Sequence, residues 1–279
     1  MASSLNALKQ ALRDEVAALA ANDGAIWKQP ILRVLDTLRR SNIEAVLFGG
    51  TLRSLLAARL FEGRRGRPRD IDLVVSGAAV DDLEERFRKS LDRRTRFGGV
   101  RLREGQWQFD VWPVGDTWAF RHDLGGHASF AGLPGTTSFN LEAVAVEVWP
   151  TDHRSRALFS GDDQFFDGIL SRTLELNRTT SPFPELTVVR GLVMASELRF
   201  RIGPRFADHV RAFGSALGEE QLVTIQASHY GFSRLEGRTI KLLIDEVNRR
   251  PAGQSITLPV VGQLPLPLSN IGGSPSASH

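Results

Sequence analysis

Two aspartates at alternate positions of a short apolar run constrain this chain more than any other feature. Asp70 and Asp72 lie in residues 70–75, where the remaining positions are isoleucine, leucine and valine. Successive side chains of a strand point to opposite faces, so both carboxylates share one face while Ile71 and Leu73 face a core. Carboxylates held this close repel each other unless a cation lies between them. The run therefore predicts a strand that carries a cation site.

A glycine pair upstream of the aspartates indicates what else the site binds. Gly49 and Gly50 follow the apolar run 44–48 and open a stretch of helical spacing. The start of a helix presents backbone N–H groups to phosphates. Mg²⁺ is a hard cation that proteins hold with one or two carboxylates and substrate phosphates. We therefore predict a site for a metal–nucleotide complex, in which Gly49, Gly50 and Thr51 seat the phosphates and Arg53 supports them.

A third carboxylate fits the same arrangement. Residues 106–113 alternate polar and apolar side chains, so Asp110 shares a face with Gln108 and Trp112. If this strand pairs beside residues 70–75, Asp110 completes a triad able to hold two metal ions. Asp116 and Asp123 are alternative third carboxylates. Trp112, on the carboxylate face, is a candidate for stacking a nucleotide base.

These motifs resemble a known family. Gly49-Gly50-x-x-Arg53, then Asp70-x-Asp72, then an isolated strand aspartate resemble the polymerase-β nucleotidyltransferase superfamily, and most of all the head domain of bacterial poly(A) polymerases and CCA-adding enzymes. The resemblance covers about residues 40–200. It implies that a nucleoside monophosphate moves from an NTP to a hydroxyl acceptor with release of pyrophosphate. It further implies two Mg²⁺ ions, replaceable by Mn²⁺, on Asp70, Asp72 and Asp110, and a nucleotide contact by Arg190.

The chain departs from this family where sugar and base are selected. The head domains of that branch carry arginine, aspartate and asparagine in one motif and further arginines in a later helix. This sequence has other residues at five of those positions, namely Thr137, Ser138, Glu142, Thr187 and Val193. The resemblance therefore carries over the metal and phosphate machinery, and leaves the acceptor and the preferred NTP open.

The pattern of elements predicts an α+β fold, a mixed nucleotidyltransferase-type sheet flanked by helices and followed by a small all-helical region. Residues 1–43 are predicted as helices that pack on a head domain of residues 44–180, and residues 181–250 as the helical region. Residues 251–279, rich in Pro, Gly and Ser, are predicted as a flexible tail. Strands are predicted at 44–48, 71–75, 97–102, 106–113, 139–148 and 171–176, and helices at 4–21, 27–41, 51–61, 79–91, 184–200, 205–217, 219–228 and 232–249.

The composition of the chain argues against several other classes of protein. The chain of 279 residues has no cysteine, so neither a disulfide framework nor thiolate metal ligation is available. It has no run of about 18 apolar residues, so no membrane-spanning helix is predicted. The start lacks the basic-then-apolar pattern of a secretory signal, and we predict a cytoplasmic protein. The histidines show no ligand spacing that indicates zinc.

Three functions remain open. The acceptor can be an RNA 3′ end, as the resemblance implies, with a basic face on the helical region. It can instead be a small molecule or a protein, as in resistance enzymes and toxins of the superfamily, which the lost selection residues favour. The chain can also be a non-catalytic module that binds nucleotides or a protein. The intact carboxylates speak against this third reading. The candidates for the basic face are Arg190, Arg199, Arg201, Arg205 and Arg211.

Overall fold

The computed structural model describes residues 2–68, 70–95, 98–122, 126–150, 155–178 and 181–259. The chain divides into two compact units, residues 1–182 and 183–279. No helix in these described ranges combines the length and the apolar character needed to cross a membrane.

A mixed sheet of seven strands forms the centre of the first unit. The strands lie in the order β3-β4-β5-β2-β1-β6-β7. Strands β2 and β5 pair in parallel, and the remaining neighbours are antiparallel. The bounds are β1 Glu44–Phe48, β2 Asp70–Ser76, β3 Leu91–Arg94, β4 Val100–Glu104, β5 Trp107–Pro113, β6 Ala145–Glu147 and β7 Leu158–Phe159, while the short β8 Thr173–Leu174 lies outside this sheet.

Helices of the first unit bury the apolar faces that their sequences predict. In α1 the residues Leu8, Leu12 and Val16 recur every four positions and are buried, as expected of one helix face. Helix α2 packs on β1 and β4, and α3 packs on β1 and β2. The helices are α1 Ala2–Ala20, α2 Gln29–Arg40, α3 Gly50–Phe61, α4 Val80–Arg86, α5 Trp118–Arg121 and α6 Gln164–Ser171, with 3₁₀ turns at Ile26–Lys28, Val114–Asp116, Phe130–Thr136 and Asn140–Glu142.

The two faces of the sheet have different roles. Ile71, Leu73 and Val75 of β2 are fully buried on one face. On the other face a hydrophobic cluster lies around Val74, formed by side chains of three strands and of the segment 118–136. Its buried members are Val46, Phe48, Val74, Phe120, Leu133 and Ala145, and Trp112 and Phe130 pack against them. The part of this face at the start of β2 carries the carboxylates.

The second unit is largely helical. Its helices are α7 Pro184–Leu198, α8 Pro204–Gly214, α9 Glu219–Tyr230 and α10 Gly237–Arg249, with a short β9 at Arg201–Ile202. Within the stretch predicted as a tail, Ile256 forms a β-bridge with Ile202, and Leu258 is buried. The remainder of that stretch, 260–279, lies outside the described residues.

The predicted fold class is confirmed, and several predicted elements have other bounds in the structure. The strand predicted at 171–176 is limited to Thr173–Leu174, since Ser171 still belongs to α6. The helix predicted at 79–91 ends at Arg86, and strand β3 follows from Leu91. The strand predicted at 139–148 begins only at Ala145, because Asn140 turns the chain by accepting from the N–H groups of Leu141 and Glu175. The predicted strand at 97–102 begins at Val100, and Phe97 lies outside the described residues.

Candidate active site

The parallel pairing of β2 and β5 brings the three predicted carboxylates together. Asp72 lies directly opposite Asp110, and Asp70 lies opposite Gln108. All of them alternate with buried residues along their strands, so they share one face of the sheet. The strand adjacency on which the prediction of Asp110 depended is therefore present.

Asp72 has the most unfavourable environment of the three. Burial raises the pKa of Asp72 to about 7, and the negative charges of Asp110, Asp70 and Glu142 act in the same direction, against the opposing influence of Arg53. A carboxylate surrounded by like charges is stabilised by either a proton or a cation. The site therefore favours a positive ligand beside Asp72.

Asp110 already has a cationic partner, Arg101 of β4. The Arg101 Nε and Nη2 atoms donate to the two carboxylate oxygens of Asp110, at 2.7 Å each. The register of β4 and β5 places the two residues directly opposite each other. Asp110 in turn raises the pKa of the Arg101 guanidinium above its usual range. The sequence reasoning missed Arg101, although a hairpin over 100–113 would have placed it across from Asp110.

Gly49 and Gly50 have different tasks at the start of α3. Gly49 adopts φ 56° and ψ −118°, and its N–H donates to the carbonyl of Val144 at 3.1 Å. Its contribution is the turn itself, and its amide is already engaged. Gly50 begins the helix, where helix geometry supplies no intrahelical acceptor for the first amides. The amides of Gly50 and Thr51 are thus better placed than that of Gly49 to receive a phosphate.

The side chain of Thr51 holds the helix start against the carboxylate strand. Its hydroxyl accepts from the N–H of Asp72 at 2.8 Å and donates to the carbonyl of Asp70 at 3.2 Å. The residue is almost completely buried. The hydroxyl therefore fixes the spacing between the glycine turn and both aspartates, which leaves the backbone amide as the part of Thr51 suited to a phosphate.

Arg53 folds back over the helix start, as its position one turn into α3 predicts. A Cβ placed on Gly50 would lie 3.5 Å from its Nη2 atom and 3.4 Å from Oδ2 of Asp72. Its Nη1 atom is 3.4 Å from Oε1 of Glu142, and this pair is largely buried. Glu142, noted in the sequence only as a departure from the family, therefore supplies a fourth carboxylate and the partner of Arg53.

We expect Gly49→Ala to reduce both stability and nucleotide binding. A Cβ at Gly49 meets nothing closer than 3.7 Å, so the penalty comes from the backbone angles, which other residues avoid, and is on the order of 2 kcal/mol. Thermal unfolding and calorimetric NTP titration measure the two effects. Gly24→Ala is the matched control, because Gly24 also has positive φ, at 79°. It should cost stability and leave nucleotide affinity unchanged; equal affinity in Gly49→Ala would contradict the role of this turn.

Other candidates lie elsewhere. Arg190 is on α7 in the second unit, and its contact with a nucleotide stays a prediction. Trp112 packs edge-to-face on Phe48, with ring centroids 6.3 Å apart, so it serves the hydrophobic cluster. Asp116 lies in the 3₁₀ turn after the far end of β5. Asp123 lies outside the described residues.

The donor chemistry fits a hard divalent cation at Asp70 and Asp72. These two carboxylates share a face beside a helix start, and Asp72 lacks the compensation that Arg101 gives Asp110. As the side chains stand, no three His, Asp or Glu residues of the described part of the chain surround one point. The pairing with Arg101 explains this for Asp110, because the guanidinium holds both of its carboxylate oxygens. Asp70 and Asp72 are thus the candidate pair for a cation.

Structural comparison identifies the class of fold. The chain has the fold of nucleotidyltransferases that act on tRNA. It is similar to a CCA-adding enzyme solved with CTP (TM-score 0.57, 16% identity, 83% of this chain and 54% of that one). It is likewise similar to the Thermotoga maritima CCA-adding enzyme complexed with tRNA (0.54, 16%, 83% and 53%) and to a tRNA-processing enzyme in an apo form (0.54, 16%, 79% and 57%).

The extent of this similarity limits it to the fold. The chain spans just over half the length of the structures it matches. No protein-family model matches the sequence, and a comparison with curated proteins finds no match. The likeness in fold to the polymerase-β-type enzymes is confirmed.

Proposed function

We propose that this protein is a divalent-cation-dependent nucleotidyltransferase, which moves a nucleoside monophosphate from an NTP to a hydroxyl acceptor and releases pyrophosphate. The observation that carries the proposal is the alignment of Asp70, Asp72 and Asp110 on paired strands, facing the start of α3 at Gly50. A carboxylate patch beside the first amides of a helix suits a cation and a triphosphate together. The fold likeness to tRNA nucleotidyltransferases supports the same reading.

Asp70 and Asp72 would hold the cation that accompanies the nucleotide, Mg²⁺ or Mn²⁺, and Asp110 would contribute to a second. Bound there, such ions polarise the phosphates and lower the pKa of the attacking hydroxyl. The proposal thus assigns Asp110 to the acceptor side. No activating group beyond these carboxylates is needed, because this chemistry depends on positioning and charge neutralisation.

The other residues hold the substrate in place. The amides of Gly50 and Thr51 would receive the β and γ phosphates, and Gly49 would shape the turn that presents them. Arg53 lies over Gly50 and would neutralise the triphosphate. The hydroxyl of Thr51 keeps the helix start and the carboxylate strand in register. Arg190 is proposed as an additional nucleotide contact.

The acceptor is proposed to be an RNA 3′ end, with a protein or small-molecule hydroxyl as the second candidate. The fold likeness supports RNA. The departures at the selection residues favour the second candidate. The hydroxyl of Thr137 lies within hydrogen-bond distance of the carbonyls of Pro134 and Phe139, and Thr187 and Val193 are buried. Incubation of the purified chain with labelled NTPs, Mg²⁺ and either total RNA or cell extract tests all candidates. Label in RNA, in protein or in a small product identifies the acceptor. If no label is transferred, a non-catalytic module is the remaining candidate.

We expect weak discrimination among the four NTPs. Hydrogen-bonding readout of a base edge requires polar groups that face it, and the side chains of Thr137, Thr187 and Val193 are buried. Values of kcat/KM for the four NTPs should differ by less than about 100-fold, the range that apolar contacts supply without polar readout. A strong preference for CTP followed by ATP, on tRNA that lacks its terminus, would contradict this expectation.

A further inference from the structure

The contact between Arg101 and Asp110 is a built feature of the site. Both carboxylate oxygens are engaged, each at 2.7 Å, and the two side chains are only 22% and 19% exposed. Strand register fixes the pair from both sides, because Arg101 and Asp110 are direct cross-strand neighbours. Fork-to-fork contacts of arginine with a carboxylate are geometrically specific and stronger than neutral hydrogen bonds. Both carboxylate oxygens of Asp110 are therefore held by Arg101.

Asp72 differs from Asp110 in this respect. Asp72 lies among the like charges of Asp70, Asp110 and Glu142, and the charge of Arg53 acts in the opposite direction. A cation at Asp70 and Asp72 relieves that repulsion directly. A cation at Asp110 meets the guanidinium of Arg101 on the same carboxylate, where two positive groups repel. Asp72 and Asp110 thus differ in how readily each accepts a cation.

Given the proposed function, we propose that Arg101 is a positioning residue that keeps the acceptor-side cation position closed at rest. The resting site binds one divalent cation, at Asp70 and Asp72. A second cation binds only when it displaces the Arg101 guanidinium from Asp110. The nucleotide with its cation can therefore bind before the acceptor side of the site is assembled.

Counting bound Mn²⁺ tests this proposal without any assay of activity. Free Mn²⁺ is followed by EPR spectroscopy during titration of the full chain at pH 8, without nucleotide. The wild-type protein should bind one Mn²⁺, and Arg101→Gln should bind two. The gain in affinity at the second position should be roughly 10-fold or more, because the cation no longer has to displace a charge-assisted bidentate pair. Arg101→Gln combined with Asp110→Asn should return to one.

Arg103→Gln is the matched control. Arg103 is two residues further along β4, so it lies on the same face, but its side chain is 67% exposed and pairs with Asp92. This variant should bind one Mn²⁺. Circular dichroism and thermal unfolding establish that each variant is folded. If Arg101→Gln does not fold, Arg101→Lys replaces it, because lysine keeps the charge but makes a point contact in place of the fork. It should bind the second Mn²⁺ more tightly than the wild-type protein.

Two results would overturn the proposal. The first is a wild-type protein that binds two Mn²⁺ with similar affinity. The second is a folded Arg101→Gln, or Arg101→Lys in its place, that binds Mn²⁺ as the wild-type protein does. A wild-type protein that binds no Mn²⁺ at all, with or without an NTP analogue, would instead overturn the proposed function itself.

Discussion

Asp72→Asn should slow nucleotidyl transfer by about 1,000-fold and at the same time stabilise the protein in the absence of a divalent cation. Asp72 is the carboxylate most burdened by burial and by its like-charged neighbours, so its removal relieves repulsion in the absence of a cation. The same carboxylate is central to the proposed cation site, where a loss of several kcal/mol in the transition state corresponds to a rate decrease on the order of 1,000-fold. Single-turnover transfer and thermal unfolding in EDTA measure the two effects.

The stabilisation should depend on pH with a definite sign. The raised pKa of Asp72, about 7 against 3.8 for the unperturbed group, means that the folded protein holds a proton which the unfolded chain has lost. The free energy of unfolding of the cation-free wild-type protein should therefore fall as the pH rises from about 4 to about 7. Asp72→Asn should remove most of this slope, and at pH 8 it should gain on the order of 2 kcal/mol.

Asp36→Asn provides the control for this prediction. Asp36 is exposed on α2, and its replacement should change neither the transfer rate nor the pH dependence of stability. Addition of Mg²⁺ should stabilise the wild-type protein and have little effect on Asp72→Asn. A variant that keeps the wild-type slope between pH 4 and 7 would show that Asp72 is not the titrating group, and wild-type transfer would remove it from the site.

The parts of the fold that the sequence predicts well are those in which a local pattern coincides with burial. Strand β1 has the predicted bounds, and β5 alternates buried and partly exposed side chains as its sequence does. Strand β3 could not be predicted in this way. Three of its four residues are exposed, and it exists because it pairs with β4. Pairing between distant segments decides such a strand, and local propensity does not.

The same distinction applies to the site. The alternation of polar and apolar residues assigns Asp70, Asp72 and Asp110 to the polar faces of their strands. The parallel pairing of β2 and β5 then makes these residues neighbours. The assignment of Arg101 to Asp110 needs the register of β4 against β5, which the predicted strand bounds of 97–102 and 106–113 alone do not set. Glu142 reaches Arg53 because a 3₁₀ turn interrupts a stretch that reads as a strand. Both arginine–carboxylate pairs are thus products of tertiary structure.

Asp110→Asn should separate binding from transfer. The amide cannot replace the carboxylate as a ligand for the acceptor-side cation, whereas Asp70, Asp72 and the phosphates still hold the nucleotide with its own cation. We expect NTP affinity to stay within about 3-fold of the wild-type value, a change of less than 1 kcal/mol. Single-turnover transfer should fall by at least about 100-fold, as for the loss of an interaction made mainly in the transition state.

Asp116→Asn is the matched control for this variant, because Asp116 follows the same strand but lies past its far end, in a 3₁₀ turn. It should transfer at the wild-type rate. If Asp110 serves only as the structural partner of Arg101, its replacement should lower the melting temperature and leave transfer by the folded protein unchanged. If Asp110 acts on the acceptor side, the transfer rate should fall far more than the folded fraction of the protein does. Measuring both quantities on the same preparation therefore decides between an ion pair that only joins β4 to β5 and a carboxylate that takes part in the reaction.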